Sequence, residues 1–235
     1  MGNFYWEKNI RFSFSQFLTA LILLFLTGPY VQQLEYGRLI ETALTTLVML
    51  SAILAIGGRG GSLVAALLLA LPLFASQWIH HCVPFFLPEW IRIVAGIAFI
   101  GFVAARLLNF IFQMRKIDAE SICAAISAYI MIGILWGMFY SLVELMQPGA
   151  FVFTAGPSES RAMTPMNGIY FSFVTLATIG YGDIIPVSST ARMMAIMEAT
   201  SGMFYVTVLI SRLVSLYTSA CQNAQAERCD CGKHG

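Results

Sequence analysis

The sequence predicts an all-α membrane protein with six spanning helices and one shorter apolar helix that enters the membrane without crossing it. Of the 235 residues, 58% are hydrophobic and only 11% are charged, whereas about 25% of the residues in an average soluble domain are charged. The apolar residues also form long stretches, and a helix needs about 20 of them to cross a bilayer. Because the formal net charge is +1, we expect no nucleic-acid partner.

Six stretches are long enough to span, since a helix satisfies its backbone polar groups internally. Turn-forming segments separate them, among them Gly57–Gly61 and Pro84–Pro88. A seventh stretch, Met166–Ala177, is too short to cross and is expected to be re-entrant. The six predicted spans are Phe12–Val31, Leu39–Ile56, Leu63–Val83, Ile91–Met114, Ile122–Met146 and Ala191–Thr218.

The positive charges predict the orientation in the membrane. With the N-terminus inside, nine of the 13 Lys and Arg residues fall in inner segments and four in outer segments, as the positive-inside rule requires. We therefore expect a multi-pass protein of the plasma or inner cell membrane, with both termini cytoplasmic and the short helix entering from outside. The first stretch lacks the cleavage pattern of a signal peptide, so we interpret it as a span.

The most informative motif directly follows the short helix. Residues 178–183 read Thr-Ile-Gly-Tyr-Gly-Asp, which resembles the T-V-G-Y-G-D selectivity filter of the potassium channel superfamily. In such a filter, four loops present backbone carbonyls that replace the water shell of the ion, and the glycines adopt dihedrals that other residues avoid. The alternative is an ordinary glycine turn, but the position between a half-helix and the last span favours a filter. One loop per chain implies a homotetramer.

The resemblance assigns roles to residues in and around this loop. The backbone carbonyls of Thr178, Ile179, Gly180 and Tyr181 would bind K⁺, the permeant ion, with Gly182 completing the ion-binding filter; no organic cofactor is implied. Some relatives have a glutamate at the position of Val174 that pairs with the filter aspartate, so here the Tyr170 hydroxyl is expected to stabilise Asp183 instead. The residues expected to support the filter are Asp183, Tyr170, Thr175, Val174 and Glu198.

Three features of the last span have open interpretations. Glu198 is either a functional site or a hydrogen-bonded, protonated or paired glutamate behind the filter. Gly202 is either a hinge or a point of close helix packing. Below it, an apolar stripe either lines the cavity and forms a hydrophobic gate or contacts lipid or protein. The gate and cavity residues are Gly202, Met203, Val206, Thr207, Ile210 and Val214.

The chain divides into a four-helix transmembrane domain (1–114), an inner linker (115–121), a pore domain (122–218) and a short cytosolic tail (219–235). The first domain resembles a voltage-sensor bundle, but its fourth span has only Arg92 and Arg106. A voltage sensor needs an Arg-rich helix, so steep voltage gating is not expected. The short linker favours docking of this domain beside its own pore domain.

Two groups of residues have side chains that could bind a metal, and each group also has an interpretation without a metal. In the tail, Cys229, Cys231 and His234 have the side chains to bind a metal, but a disordered polar tail is favoured. The run from His80 to Cys82 is either a pH- or zinc-sensitive site or a polar cap at the membrane surface.

Together these features predict a potassium-selective channel that passes K⁺ passively. The alternatives are a weakly selective cation channel, a non-conducting regulatory subunit, and a membrane enzyme or transporter. No span contains an H-E-x-x-H motif or paired intramembrane aspartates, and the pore hairpin is not repeated. We therefore expect no enzymatic activity. The expected partners are membrane lipid and three further copies of the chain.

Overall fold

The computed structural model describes residues 13–31, 36–56, 60–82, 88–114, 118–154 and 162–231. These ranges contain seven helices and two short strands. The elements are α1 (Ser13–Val31), α2 (Gly37–Ile56), α3 (Gly60–Cys82), α4 (Glu89–Gln113), α5 (Ala119–Met146), β1 (Phe151–Phe153), α6 (Pro165–Leu176), β2 (Ile184–Pro186) and α7 (Ser189–Cys231).

Each predicted span and the half-helix are helical. By length and composition, three segments of the described chain can cross a membrane: Glu89–Gln113, Ala119–Met146 and Ser189–Thr218, with hydropathies of 2.1, 2.1 and 1.5. The apolar parts of α1, α2 and α3 in the described residues are shorter. The protein is therefore a largely helical multi-pass chain, while the count of six spans stays a prediction.

The predicted disorder of the tail is wrong for most of its length. Helix α7 continues without a break to Cys231. The segment 219–231 contains three Ala, two Gln, one Glu and one Arg, which are good helix formers, and Gly and Pro are absent from it until Gly232. The side chains of Cys229, Cys231 and His234, and those of residues 80–82, lie outside the described part of the structure, so the two metal-site hypotheses stay predictions.

Local capping explains where α5 and α6 begin. The Asp118 side chain accepts a hydrogen bond from the Ser121 backbone N–H at 3.0 Å and caps α5. The Thr164 side chain accepts one from the Asn167 N–H at 3.2 Å and caps α6, with Pro165 in the first turn. Both caps satisfy N–H groups that a helix leaves unpaired, and proline is favoured at the first helical position.

A two-stranded antiparallel ribbon joins the segment after α5 to the segment after the glycine motif. Strand β1 pairs with β2, with Val152 opposite Ile185. The Val187 N–H also donates to the Ala150 carbonyl at 2.9 Å. The sequence predicted only helices, so this ribbon was not expected. The ribbon places the end of the glycine motif beside the turn that follows α5.

Helices α1 and α4 pack against α5 of their own chain, while α2 packs mainly on α1 and α3 mainly on α4. The main core lies where α1 and α4 meet α5, and its most buried members include Phe17, Val103, Leu107, Ala124 and Ala128, each at most 1% exposed. Helix α7 also contributes Tyr205, whose hydroxyl donates to the Ala125 carbonyl at 2.6 Å. Helix α5 is therefore covered by α1 and α4 and is also contacted by α7.

Glycines bring α5 and α6 into backbone contact. A Cβ atom on Gly168 would lie 2.5 Å from the Gly137 carbonyl oxygen, and one on Gly137 would lie 2.8 Å from the Ile169 backbone. Gly133, one turn earlier on α5, faces the ring of Phe173 in the same way. Gly133 and Gly137, spaced as Gly-x-x-x-Gly, thus form the surface of α5 on which the short helix α6 packs.

Candidate functional site

The loop that follows α6 turns its backbone N–H groups back toward that helix. The Thr178 N–H donates to the Thr175 carbonyl at 2.9 Å, and the Ile179 and Gly180 N–H groups donate to the Val174 carbonyl at 2.9 and 3.4 Å. In a planar trans peptide, the N–H and the C=O point in opposite directions. The carbonyls of Ala177, Thr178 and Ile179 therefore point away from α6.

Backbone dihedrals alternate along the loop. Thr178, Gly180 and Gly182 have positive φ values of 56°, 61° and 75°, whereas Ile179 and Tyr181 do not. Alternating left- and right-handed residues align successive peptide groups, so that the N–H groups share one side and the carbonyls the other. A positive φ is uncommon for threonine, and such strain is concentrated at functional sites.

The two glycines are required by their dihedrals and not by lack of space. A Cβ atom on Gly180 or Gly182 would meet no atom within 4 Å in this chain. Other L-residues adopt these φ values only at a cost in free energy.

Thr154 holds the carboxyl end of the loop. Its Oγ1 donates to the Gly182 carbonyl at 2.8 Å, and its backbone N–H donates to the Asp183 carbonyl at 2.8 Å. Thr154 follows β1, so the ribbon brings it to the loop. Sequence reasoning missed this residue because it is 28 positions away from Gly182, and the only signal for the contact is the β-prone run before it.

Asp183 accepts the hydrogen bond that was expected from Tyr170. The Tyr170 hydroxyl donates to Asp183 Oδ2 at 2.7 Å, and the Ile184 N–H donates to Oδ1 at 3.0 Å. The hydrogen bond to the carboxylate, followed by partial burial, raises the pKa of Tyr170 to about 12. The tyrosine is therefore a stable donor at neutral pH, and it links the middle of α6 to the end of the loop.

The other predicted support residues lie around α6. Val174 and Thr175 contribute through their backbone carbonyls, and the Val174 side chain is buried. Glu198 is fully buried behind α6, where the hydroxyls of Tyr140 and Ser172 contact its carboxyl group. This matches the hydrogen-bonded alternative for Glu198. Tyr140 and Ser172 were not predicted, although a buried glutamate always indicates that nearby polar partners exist.

Gly202 is a packing position in this structure. A Cβ atom on it would lie 2.9 Å from the Leu176 carbonyl oxygen, so α7 closely approaches the end of α6 at this point. The predicted cavity residues on α7 are all exposed in the single chain: Met203, Val206, Thr207, Ile210 and Val214. Other residues of α7, such as Phe204 and Val208, are exposed too, so exposure alone does not identify a pore-facing side.

Comparisons with known proteins find similarity in the part of the chain that contains this loop. The family model described as "Ion channel" matches residues 129–219, which contain most of α5, the loop and α7 to beyond Thr218. Protein LctB of Bacillus caldotenax is 30% identical over 128 residues, which are 50% of this chain and 93% of that protein. No solved structure matches this chain.

Two potassium channels are also similar over shorter shares of their length. The voltage-gated potassium channel Kch of Escherichia coli (strain K12) is 34% identical over 118 residues, which are 50% of this chain and 26% of that protein. Two-pore potassium channel 4 of Arabidopsis thaliana is 38% identical over 63 residues, 27% of this chain. The chain thus spans only about a quarter of the length of these two relatives: 26% and 22%.

The described structure thus has a short helix, α6, followed by a loop whose carbonyls point away from that helix. The matches fall on this region. The chain belongs to the ion channel family.

Proposed function

We propose that this protein is the subunit of a homotetrameric potassium channel that passes K⁺ passively and selectively. The observation that carries the proposal is the loop at 178–183, where backbone N–H groups bond back to α6 and φ alternates in sign. A row of carbonyls held on one side of a loop is what a ring of four loops needs in order to replace the water shell of K⁺. The proposed ligands are the carbonyls of Thr178, Ile179, Gly180 and Tyr181.

The exposure of the loop supports assembly around a central axis. Ile179 is 53% and Tyr181 is 69% exposed in the single chain. Of the most apolar stretch of α7, only 11% is buried. Contiguous apolar surface of this kind marks an interaction site or a membrane-facing surface. Four copies around the loop would cover part of this surface and leave the remainder to lipid.

In the proposed tetramer, the inner half of α7 lines the pathway. Met203, Val206 and Thr207 lie nearest the loop, and Ile210 and Val214 follow at helical spacing. Two rings of branched apolar side chains can close a pore by dewetting, so we assign the gate to Ile210 and Val214.

The four-helix domain is proposed to have no voltage-sensing role. Its fourth helix has Arg92 near one end, in a partly exposed pair with Glu89 at 3.4 Å, and Arg106 fourteen positions later. Without further charges between them, little gating charge can move in the membrane field. We propose that α1, α2 and α3 also span the cell membrane, with both termini inside and the loop near the outer surface.

The test is potassium uptake into liposomes that contain the purified protein, with sodium as the competitor, for the native chain and Gly180→Ala. We expect selective uptake by the native protein and none by the variant, because alanine at positive φ costs about 1 kcal/mol and disturbs the alternation. Equal uptake of sodium by the native protein would support a weakly selective channel and contradict the proposal.

A matched control separates a filter defect from general instability. Gly149, in the turn after α5, has φ +85° and open space around its Cα. Gly149→Ala has the same dihedral strain outside the loop, so we expect it to retain selective uptake. If both variants lost uptake equally, the loop would not be identified as the pathway. A native tetramer without flux at any voltage would favour a non-conducting role.

A further inference from the structure

Glu198 is a carboxyl group buried among three helices. Its side chain lies on α7, is 0% exposed, and faces α5 and α6. Burial of an ionised carboxylate without a cationic partner carries a large cost in free energy. Among the described residues, only the hydroxyls of Tyr140 and Ser172 form hydrogen bonds with this carboxyl group, and neither is a cation.

The hydrogen bonds form a continuous chain across these helices. The Tyr140 hydroxyl on α5 donates to Glu198 Oε2 at 2.5 Å. Ser172 Oγ on α6 lies within hydrogen-bond distance of Glu198 Oε1, and it also lies 2.7 Å from the Gly133 carbonyl oxygen of α5. The two short contacts hold all three helices at one point.

Counting protons along this chain shows which form of Glu198 fits. A serine hydroxyl has one proton to donate, yet Ser172 Oγ faces both the Gly133 carbonyl and the carboxyl group. With an ionised carboxylate, Ser172 has a proton for only one of its two contacts, and the other contact joins two oxygens without a hydrogen between them. With a neutral acid, Glu198 donates to Ser172, Ser172 donates to Gly133, and Tyr140 donates to Glu198. Every hydrogen bond is then satisfied.

This chain of hydrogen bonds lies next to the groups that orient the loop. Ser172 is two residues before Val174, whose carbonyl accepts the Ile179 and Gly180 N–H groups. One turn after Glu198, Gly202 packs against Leu176 at the end of α6. The position of α6 between α5 and α7 therefore sets the position of the carbonyls in the loop.

We propose that Glu198, as a neutral acid, is a positioning residue for the selectivity filter. It fixes α6 through Ser172 and Tyr140, so that the Val174 carbonyl holds the loop in its ion-binding form. This inference rests on the proposed channel function, and it adds the protonation state and the three-helix hydrogen-bond chain on which selectivity depends.

The decisive variants are Glu198→Gln and Glu198→Leu. A glutamine amide reproduces the neutral acid, because its NH₂ group donates to Ser172 while its carbonyl accepts from Tyr140. Leucine fills similar space without any hydrogen bond. We expect the K⁺/Na⁺ permeability ratio of Glu198→Gln to stay within about twofold of the native value, and that of Glu198→Leu to fall about tenfold or more, as expected when buried hydrogen-bonding groups lose their partner.

Serine variants provide a matched pair. Ser172→Ala removes the relay and is expected to lower the permeability ratio in the same direction as Glu198→Leu. Ser141→Ala removes a buried hydroxyl from the same α5–α6 contact, but Ser141 donates to Gly137 of its own helix at 3.2 Å and does not touch Glu198. We expect Ser141→Ala to keep the native ratio, which would show that the effect is specific to the chain through Glu198.

Infrared spectroscopy tests the protonation state without any flux. The native tetramer at neutral pH should show the carbonyl band of a buried protonated carboxylic acid, and Glu198→Gln should lack it. Absence of this band, or loss of selectivity in Glu198→Gln to the level of Glu198→Leu, would overturn the neutral-acid assignment. Native selectivity in a tetrameric Glu198→Leu would overturn the positioning role. If the native protein itself were unselective, the proposed function would fail, together with the positioning role, while the infrared band would still report on the acid.

Discussion

Arg212, in the carboxyl half of α7, forms a cap on the end of α4 at Met114. Its guanidinium donates to the Met114 carbonyl at 3.0 Å, and also to the carbonyls of Ile111 at 3.1 Å and Phe112 at 2.5 Å. The last carbonyls of a helix have no partner within the helix, and a positive charge is favourable there. This contact connects the four-helix domain to the segment between Ile210 and Val214.

Replacement of Arg212 is expected to destabilise the protein. Arg212→Ala leaves helix-end carbonyls without donors and should lower the free energy of unfolding by about 1–3 kcal/mol, measured by thermal unfolding in detergent. Arg92→Ala is the control, because its partly exposed pair with Glu89 contributes at most about 1 kcal/mol. Equal shifts for the two variants would contradict the assigned role of the cap.

The same cap predicts coupling between the four-helix domain and the proposed gate. Arg212→Lys keeps the charge but replaces the planar fork with a single ammonium group, which cannot reach the three carbonyls in the same geometry. We expect its open probability in single-channel recordings to differ from that of the native protein, while the K⁺/Na⁺ permeability ratio stays the same because the filter is not touched. A changed ratio with unchanged gating would argue against this coupling.

Close contact between α5 and α6 predicts a steric effect at Gly168. A Cβ atom there would lie 2.5 Å from the Gly137 carbonyl oxygen, so Gly168→Ala must push the helices apart and should cost about 1–3 kcal/mol. Gly101→Ala is the matched control, since the new Cβ would lie 3.9 Å from Leu135 Cδ1, an ordinary contact distance, and alanine favours helix. Thermal unfolding of both variants tests this, and a Gly168→Ala variant as stable as Gly101→Ala would contradict the packing described for α6.

Because of its hydrogen bond to Asp183, we expect Tyr170 to ionise at a higher pH than an ordinary tyrosine. The pKa of Tyr170 is raised from 10.0 to about 12, chiefly by its hydrogen bond to Asp183. The stabilisation is therefore fully present below pH 10 and is lost as the pH rises through about 12. The phenolate absorbance that Tyr170→Phe lacks should accordingly develop near pH 12. Development near pH 10 would show that the hydrogen bond is absent in the membrane protein.

Thr154 predicts a specific requirement for a hydroxyl group at the carboxyl end of the loop. Thr154→Val preserves the shape but removes the donor to the Gly182 carbonyl, which leaves the last peptide of the loop free to rotate. We expect sustained K⁺ flux to fall in Thr154→Val and to be restored in Thr154→Ser, which retains the hydroxyl. Native flux in Thr154→Val would show that the ribbon alone holds this peptide.

Much of the fold could be predicted from the lengths of the apolar stretches. The ends of the predicted spans agree with the helices to within about three residues, except at the end of α7, where favourable helix formers extend the helix into the tail. The ribbon between β1 and β2 was missed because each strand has only three residues, which is too short for an alternating pattern to stand out. Helix α4 packs on α5 within the single chain, while the arrangement of these helices in an assembly of several copies stays a prediction.

By itself, the sequence determined the apolar helices, the short half-helix and the glycine motif, because length, hydropathy and positive-φ glycines are properties of adjacent residues. The tertiary structure decided which distant groups meet: Tyr140 and Ser172 at Glu198, Thr154 at Gly182, and Arg212 at the end of α4. These contacts join residues that are 26 to 101 positions apart. Such contacts depend on how helices cross, and the crossing is set by small residues and satisfied buried polar groups that no local pattern encodes.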